Sequence, residues 1–419
     1  MLRPPQRVLR RAIRRRRPVF LLLLAILILD AIALANRRPR ARRVPIGASK
    51  QANTTVFIAS VHRNTGRILP DWSVATLALV QYLGADNVYF SAVESGSQDD
   101  TKEKLAALKE QLDARGVPNT ISLGMTVWEQ LDEMWTRPDP AASRVPGWIW
   151  NEEDKLYDLR RISYLAKERN RAMEPMRVLE GQGITFHKLL WINDIMFNVE
   201  DFVTLLHTND GNYASACSMD FKYPSTYYDT FALRDEDGHK TSSSYWPWFR
   251  SPASRDAVLH SDPVPVQSCW NGMVLFDAKP FYGDKALRFR AISDSLADYH
   301  LEASECCLIH ADNPLTTVPD QGVWLNPNVR VGYSLATYES VQAKHGSAFP
   351  NVPTAVLSAW VNRWVQWKGI LQQHFESTTV LKRVSQWSQA EPYGQRSEPG
   401  LACLVNEKQI MWMNGWKHL

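Results

Sequence analysis

Residues 186–194 read FHKLLWIND, an apolar run with the pattern of a buried strand that ends in an amide and a carboxylate. Two comparable runs come earlier in the chain, at 56–60 (VFIAS) and 87–93 (NVYFSAV). Helical patterns separate them, at 72–83 and at 101–115. This alternation predicts an α/β fold in which a mixed, mainly parallel sheet is flanked by helices.

Weaker patterns extend this fold toward the C-terminus. In chain order they predict a strand at 120–123, a helix at 159–179 containing Pro175, a helix at 199–206 capped by Asn198, strands at 213–217 and 272–276, and a late helix with Trp360, Trp364, Trp367 and Leu371 on one face. We expect a surface loop at 136–155 and a long irregular stretch at 220–270. Long irregular segments in compact domains are often functional.

Polar residues follow the first three predicted strands, where a parallel sheet binds its ligands. The segments 62–64 (HRN) and 94–100 (ESGSQDD) lie where a nucleotide is expected. Sugar-nucleotide transferases often hold the diphosphate with a divalent cation, bound by an Asp-x-Asp motif after a strand. Here Ile192, Asn193 and Asp194 retain only the second carboxylate. Asp194 is therefore either a metal ligand or an ordinary turn residue.

Two further polar groups each have a structural and a functional interpretation. Asp99 and Asp100 precede a helix, so they either cap it or recognise a ribose or base. Arg169, Asn170 and Arg171 either bind phosphate or form a solvated helix face.

The later polar residues also have both a structural and a functional interpretation. His310 follows an apolar run, and a lone histidine of this kind is either a core residue or a ligand. Tyr228, Asp229 and Arg234 either contact an acceptor or belong to a polar loop.

The charge is divided unevenly along the chain of 419 residues. Residues 1–43 hold thirteen Arg and one acid, a net charge of +12, whereas the rest carries −8. A clustered basic surface on the body is thus not expected, which argues against nucleic-acid binding.

The basic head flanks the apolar run 19–35, about 26 Å long as a helix. We expect a cytosolic tail (1–18), a transmembrane signal anchor (19–35), a lumenal stem (36–53) and one lumenal domain (54–419), since flanking Arg residues keep the N-terminus cytosolic. A cleaved signal peptide is the alternative. Asn53 begins an N-glycosylation pattern.

The five cysteines at 217, 269, 306, 307 and 403 lack the spacing of zinc ligands. In an oxidising lumen they predict one or two disulfides and at least one free thiol, with the pairing left open.

Six stretches in order resemble the fungal capsule-associated (cryptococcal α-1,3-) mannosyltransferase family. They lie at 84–105, 160–175, 189–221, 227–239, 264–281 and 287–313, with SCWNG and SECCLIHAD the most distinctive. The resemblance implies a GT-A-type fold and a type II Golgi membrane protein. It implies transfer of mannose from GDP-mannose to a mannose-containing glycan acceptor, as in capsule polysaccharide, with retained α configuration and dependence on Mn²⁺ or another divalent cation.

The resemblance also assigns residues to sites. Glu94, Ser95, Gly96 and Asp100 match a nucleotide segment, and Arg169 and Asn170 match a donor segment. Asp194 matches the second carboxylate of the metal motif, and His310 matches a late histidine that completes the metal shell. The acceptor residues are expected to be Tyr228, Asp229, Arg234, Trp270 and Asn271.

The catalytic step is less defined by the resemblance. Retention suggests front-side departure and attack, in which the leaving phosphate takes the acceptor proton. Asp220 and Glu305 are the alternative nucleophiles or positioning carboxylates. Because the Asp-x-Asp motif is incomplete, a non-catalytic lumenal factor that binds glycans or assists polysaccharide assembly is the alternative function. A two-carboxylate glycoside hydrolase is a third possibility, and it has no need of a nucleotide site.

Overall fold

The computed structural model describes residues 5–37, 41–48, 54–224, 226–390, 396–413 and 415–419. The helices are α1 Pro5–Arg37, α2 Leu69–Leu83, α3 Thr101–Asp113, α4 Val127–Trp135, α5 Arg161–Gly181, α6 Val199–Leu206, α7 Pro252–His260, α8 Asp294–Ala297, α9 Glu305–Ala311, α10 Leu335–Val341 and α11 Val352–Gln389. The strands are β1 Val56–His62, β2 Val88–Glu94, β3 Asn119–Leu123, β4 Trp148–Asn151, β5 Leu156–Leu159, β6 Lys188–Ile192, β7 Ser215–Tyr223, β8 Thr226–Tyr227, β9 Arg234–Asp235, β10 Val264–Ser268, β11 Met273–Asp277, β12 Glu302–Ala303, β13 Val323–Gly332, β14 Leu404–Val405, β15 Gln409–Trp412 and β16 Gly415–His418.

The main sheet has the order β3-β2-β1-β6-β11-β7-β13-β10-β9, with β8 paired to β7. Its first four strands are parallel to one another. From β6 to β11 the pairing becomes antiparallel, and β7 and β13 are again parallel. The predicted mixed sheet flanked by helices is thus confirmed, with its parallel part in the N-terminal half. β6 lies where the parallel part meets the mixed part.

Apolar side chains cover both faces of this sheet. On one face α2, α3 and α6 pack through residues such as Trp72, Leu105 and Phe202. On the other face α5 packs through Met173 and Met176. The three-layer arrangement leaves the carboxyl ends of β1, β2 and β6 at a common edge, where polar residues can meet a ligand.

Several predicted boundaries hold because local signals fix them. Gly84 ends α2 with a positive φ of 85°, a conformation that suits glycine. Asn198 caps α6, and its side chain accepts from the backbone N–H of Asp201, whose carboxylate accepts from Asn198 N in return. The prediction of Asn198 as the cap is confirmed.

Two predicted irregular segments are more ordered than expected. The expected loop at 136–155 includes β4, which forms a hairpin with β5. The expected irregular stretch at 220–270 contains α7 and the strands β8, β9 and β10. Both predictions were wrong in this respect, because these strands have the Trp-rich and polar composition of loops, and because β10 finds its partner β13 about 60 residues later in the chain.

The N-terminal segments depart from expectation in two ways. In the part of the chain that the structure describes, no helix is long and apolar enough to cross a membrane. The membrane span predicted at 19–35 is therefore not supported. The expected solvated stem is packed at Arg43, whose buried guanidinium lies 2.9 Å from Asp201. Asn53 lies outside the described residues.

Two disulfides, Cys217–Cys269 and Cys307–Cys403, cross-link the C-terminal half. Cys306 is a buried free thiol. The predicted count of up to two bridges and a free cysteine is confirmed. The Cys307–Cys403 bridge ties α9 to the segment that leads into β14 and the C-terminal hairpin, β15–β16.

A buried arginine joins the same C-terminal region to the start of α5. The Arg160 guanidinium lies 2.7 Å from the carboxylate of Glu302 in β12 and 2.7 Å from that of Asp294 in α8. Its backbone forms an isolated bridge to Ile410 of β15. Since Glu302 is also buried, the two charges depend on each other for solvation.

We expect Arg160→Leu to lower the free energy of unfolding by about 3–5 kcal/mol, because it leaves the Glu302 carboxylate buried without its partner. Urea unfolding followed by circular dichroism measures the change. The matched control is Arg144→Leu, which removes an exposed pair with Asp298 and should cost less than about 1 kcal/mol. Equal losses in the two variants would contradict the assignment.

Candidate functional site

The site is built around the end of β6. Asn193 is held there by three contacts. Its N–H donates to Gly272 O at 2.8 Å, its carbonyl accepts from Trp72 Nε1 at 2.9 Å, and its Oδ1 accepts from Trp270 Nε1 at 3.1 Å. The next residue, Asp194, is therefore presented from a fixed backbone.

The partner of this strand end is a tight turn before β11. Asn271 and Gly272 both have positive φ, 48° and 84°. A Cβ on Gly272 would lie 2.8 Å from Val331 Cγ2, so a side chain does not fit there. The turn aims the Asn271 side chain inward and leaves the Gly272 carbonyl free to accept from Asn193.

Behind this turn lies a buried pair of carboxyl groups. Asp220 accepts from Asn271 Nδ2 at 3.0 Å, from Tyr333 OH at 2.8 Å and from the N–H of Asp229 at 3.1 Å. Burial, and after it the charge of the nearby Asp229, raises the pKa of Asp220 to about 7. Burial also raises the pKa of Asp229. Two carboxyl groups this close in an apolar environment hold protons that they would release in water.

On the other side of the site, a mostly buried guanidinium is enclosed by rings. Arg169 lies 4.3 Å from the Trp270 ring and 5.4 Å from the Trp191 ring. Its Nε donates to Glu305 at 2.9 Å. Glu305 is the first residue of α9. The side chain of the N-cap residue, Ser304, accepts from a backbone N–H in the first turn of this helix. This combination of cation–π contacts and an ion pair fixes α5 against α9.

These groups line a pocket of about 490 Å³, a size suited to a small ligand. The lining of this pocket includes Arg169, Asn193, Tyr228, Asp229, Trp270, Glu305 and Tyr333. Its opposite wall is formed by Arg161, Leu165, Glu407, Gln409, Trp416 and His418. The structure thus brings together the predicted residues Arg169, Tyr228, Asp229, Trp270 and Glu305 beside Asn193, the residue before Asp194, with Asn271 behind the wall.

The loops after β1 and β2 are joined to each other on the nucleotide side. Asn64 N donates to Ser97 Oγ at 3.0 Å, and Gln98 N donates to Asn64 Oδ1 at 2.7 Å. Gly66 N donates to Asp99 Oδ2 at 2.9 Å. Both loops are therefore ordered together at the carboxyl edge of the sheet.

The predicted nucleotide residues Glu94, Ser95 and Gly96 lie in the second of these loops. Ser95 Oγ is 2.6 Å from Tyr164 OH. Gly96 has a φ of 68°, and a Cβ there would lie 2.7 Å from Gln130 Oε1. Asp100 is exposed and pairs with Lys104 at 2.8 Å. The structure shows that these residues lie near one another, and their nucleotide role stays a prediction.

Four predicted site residues have structural partners instead. Asn170 exchanges two hydrogen bonds with the backbone of Phe289. The buried Arg234 donates to backbone carbonyls, including that of Cys403. Asp220 is fully buried and hydrogen-bonded to Asn271, Asp229 and Tyr333. These contacts do not support Asn170 as a donor contact, Arg234 as an acceptor contact or Asp220 as a nucleophile.

The fourth is His310, predicted as a metal ligand. Its Nε2 is 2.6 Å from Cys269 O and its Nδ1 is 3.0 Å from Ser215 Oγ. Burial lowers the pKa of this imidazole to about 4. Within the described ranges, one group of three possible ligands is found, Cys217, Cys269 and His310, but both sulfurs are joined in a disulfide. The position does not support metal binding by His310.

The carboxylate of Asp194 is a better fit to a cation. It is half-buried, and among the described residues no hydrogen bond or ion pair joins it to another side chain. Burial raises its pKa to about 6, because a carboxylate ion is less well solvated there than in water. Asn193 precedes it, and the Asn193 amide oxygen accepts from Trp270 Nε1. Carboxylate and amide oxygens are the donors that hard divalent cations prefer, so the residues present fit such an ion.

Sequence reasoning missed Tyr333 and the opposite wall of the pocket. Tyr333 follows β13 directly, so the rule that used the ends of β1, β2 and β6 applied to it as well. The wall at 407–418 carries a hairpin signal, the dipeptide Asn414-Gly415 between short apolar runs. Nothing local in the sequence indicates that this hairpin faces the site.

The family model described as Cryptococcal mannosyltransferase 1 matches residues 55–312. Over 290 residues the chain is 27% identical to the alpha-1,3-mannosyltransferase CMT1 of Cryptococcus neoformans var. neoformans serotype D. The match covers 65% of this chain and 56% of that protein. The chain thus spans little more than half the length of the relative that it matches.

Solved structures give a more distant likeness. The mannosyltransferase PcManGT from Pyrobaculum calidifontis, in complex with GDP-Man and Mn²⁺, has a TM-score of 0.37 and 9% identity, covering 90% of this chain and 86% of its own. Glucosyl-3-phosphoglycerate synthase from Mycobacterium tuberculosis, in complex with phosphoglyceric acid, has a TM-score of 0.31 and 14% identity, covering 69% and 75%. Scores in this range are too low to support an argument about the site.

The buried carboxyl pair gives a testable pH dependence. Asp220 has a folded pKa of about 7 and an unfolded pKa of about 3.9, so the native state keeps a proton that the unfolded state has lost. Its contribution therefore makes the protein less stable as pH rises from about 4 to about 7. We expect the fall in melting temperature between pH 5 and pH 8 to be smaller in Asp220→Asn than in the wild type.

The matched control is Asp132→Asn, an exposed carboxylate on α4. It should leave the pH dependence of melting unchanged. An Asp220→Asn profile parallel to that of the wild type would show that Asp220 is ionised in the folded protein throughout this range.

Proposed function

Because the chain belongs to the Cryptococcal mannosyltransferase 1 family, we propose that it is a glycosyltransferase that moves mannose from GDP-mannose to a mannose-containing glycan. We further propose an α-1,3 linkage formed with retention of configuration. The observation that carries the proposal is the half-buried Asp194 carboxylate, which pairs with no side chain among the described residues and directly follows Asn193 in the lining of a pocket of aromatic rings and polar side chains.

The donor is proposed to lie across the end of β6. Its nucleotide would occupy the joined loops that contain Glu94, Ser95 and Gly96, and its diphosphate would lie toward Asp194. Asp194 and the Asn193 amide oxygen would hold a divalent cation such as Mn²⁺, which when bound offsets the charge that develops on the departing diphosphate.

The sugar end of the donor would face the pocket. Trp270 offers an aromatic edge there, and Asp229 and Glu305 offer hydrogen-bond acceptors for hydroxyl groups. Arg169 keeps Glu305 in place and is itself occupied by that pair. The acceptor would enter from the opposite wall.

In the proposed reaction the bond between the anomeric carbon of mannose and the diphosphate oxygen breaks, and a bond from that carbon to an acceptor hydroxyl oxygen forms on the same face. The acceptor proton passes to the departing diphosphate oxygen. No enzyme nucleophile is needed, which agrees with the burial of Asp220 and with the engagement of Glu305 by Arg169. Both carboxyl groups then act as positioning residues.

The two disulfides support a location in an oxidising compartment. We propose the lumen of the secretory pathway, with the Golgi as the site of action. Fractionation of cells that produce the full chain, with protease protection of the C-terminal half, tests this proposal.

We expect Asp194→Asn to lower mannose transfer at least about 100-fold, because it removes the charged ligand of the proposed cation. The assay incubates the purified full chain with GDP-mannose, Mn²⁺ and a manno-oligosaccharide, and it measures both GDP release and the linkage of the product by NMR. Asp256→Asn, which removes an exposed carboxylate, serves as the matched control and should keep full activity.

The alternatives give distinct outcomes. Turnover of a different sugar nucleotide in place of GDP-mannose would overturn the donor while leaving the transferase class intact. Absence of binding to any sugar nucleotide by calorimetry, with or without Mn²⁺, would favour a non-catalytic glycan-binding factor. Full transfer by Asp194→Asn would remove this carboxylate from the site.

A further inference from the structure

The C-terminal hairpin forms one wall of the candidate pocket, although the family match ends at residue 312. The strands β15 and β16 contribute Gln409, Trp416 and His418, and Glu407 stands just before them. Opposite them lie the residues grouped around Asp194. A ligand held at the end of β6 would therefore meet a surface that comes from the last residues of the chain.

The hairpin is attached firmly to the scaffold. Arg161 Nη1 donates to Gln409 Oε1 at 2.5 Å, and the Arg161 guanidinium lies 4.5 Å from the centre of the Trp416 ring. Ile410 is buried and bridges to the backbone of Arg160. Because α5 supplies both Arg161 and Arg169, the two walls of the pocket are held by one helix.

The exposed groups of this wall are those that bind sugars. Trp416 is 44% exposed, and the part of its ring that the Arg161 guanidinium does not cover offers an electron-rich surface to the C–H groups of a pyranose. Glu407 lies 3.3 Å from His418, and these two residues offer both donors and acceptors to hydroxyl groups.

The charges on this side of the pocket argue against a diphosphate. Arg169 is paired with Glu305, and Arg161 is engaged by Gln409 and Trp416. The carboxylates of Glu305 and Glu407 line the same space and would repel an anionic ligand. A neutral ligand that is rich in hydroxyl groups fits this composition.

We propose that the hairpin completes the acceptor subsite, and that Trp416 is the platform on which the acceptor pyranose stacks, with Glu407 and His418 contacting its hydroxyl groups. The proposal rests on the proposed function for the identity of the acceptor as a mannose-containing glycan. The new element is the part of the chain, the C-terminal hairpin, that selects the acceptor.

The test compares Trp416→Ala with Trp412→Ala in the full chain. Trp412 is a close control, since it lies on the same hairpin, is 40% exposed and has its ring 3.9 Å from Lys417 Nζ rather than in the pocket lining. We expect Trp416→Ala to raise the acceptor KM about tenfold, a loss typical of one aromatic contact. The GDP-mannose KM and the hydrolysis of GDP-mannose without acceptor should stay within about twofold of wild type, and Trp416→Phe should recover much of the loss.

A second measurement separates this proposal from the proposed function. Binding of a manno-oligosaccharide to the chain without donor is followed by NMR, and it should be lost in Trp416→Ala and kept in Trp412→Ala. If the wild type binds the oligosaccharide in this way but transfers nothing, the proposed function fails and the subsite stands. If the wild type does not bind it, if Trp416→Ala binds and transfers normally, or if Trp412→Ala loses as much, the proposed subsite is overturned.

Discussion

The buried guanidinium of Arg169 sets the constraint on which the candidate site depends. A charge in this position is tolerated only with a partner and with hydrogen bonds, and Glu305 provides both from a helix 136 positions later in the chain. The rings of Trp191, Trp270 and Phe289 surround it. One charged group thus fixes the distances among α5, β6, α9 and the turn before β11.

The position of Asp194 also depends on Arg169, because Trp270 contacts both Arg169 and Asn193. The same indole that stacks on Arg169 donates to the side chain of Asn193, and the adjoining turn accepts from the Asn193 backbone. The end of β6 is therefore held from two sides, and the carboxylate that follows it has no partner of its own among the described residues. A rigid frame around an unpaired carboxylate is the arrangement expected of a binding site, because pre-organised groups lose little freedom when a ligand arrives.

The N-terminal half of the sheet was predictable because each signal there is local. The apolar runs of β1, β2 and β6, the glycine that ends α2 and the asparagine that caps α6 can all be read within a few residues. The roles of Arg234, Asn170 and His310 could not be read in this way, since their partners are Cys403, Phe289 and Cys269, each far away in sequence. A charged or polar side chain in a motif looks the same whether it binds a ligand or backbone carbonyls in the core.

The C-terminal hairpin shows why the second wall of the pocket could not be predicted from the sequence. The sequence indicates its turn but not its position. The position depends on Arg160 and Arg161, adjacent residues at the start of α5 whose side chains extend in different directions. Arg160 pairs with the buried Glu302 and bridges to Ile410, while Arg161 holds Gln409 and covers Trp416. The helix that carries Arg169 into the donor side thereby also sets the position of Trp416. A change at the start of α5 should consequently alter both sides of the pocket together, whereas a change within the hairpin should alter only the acceptor side.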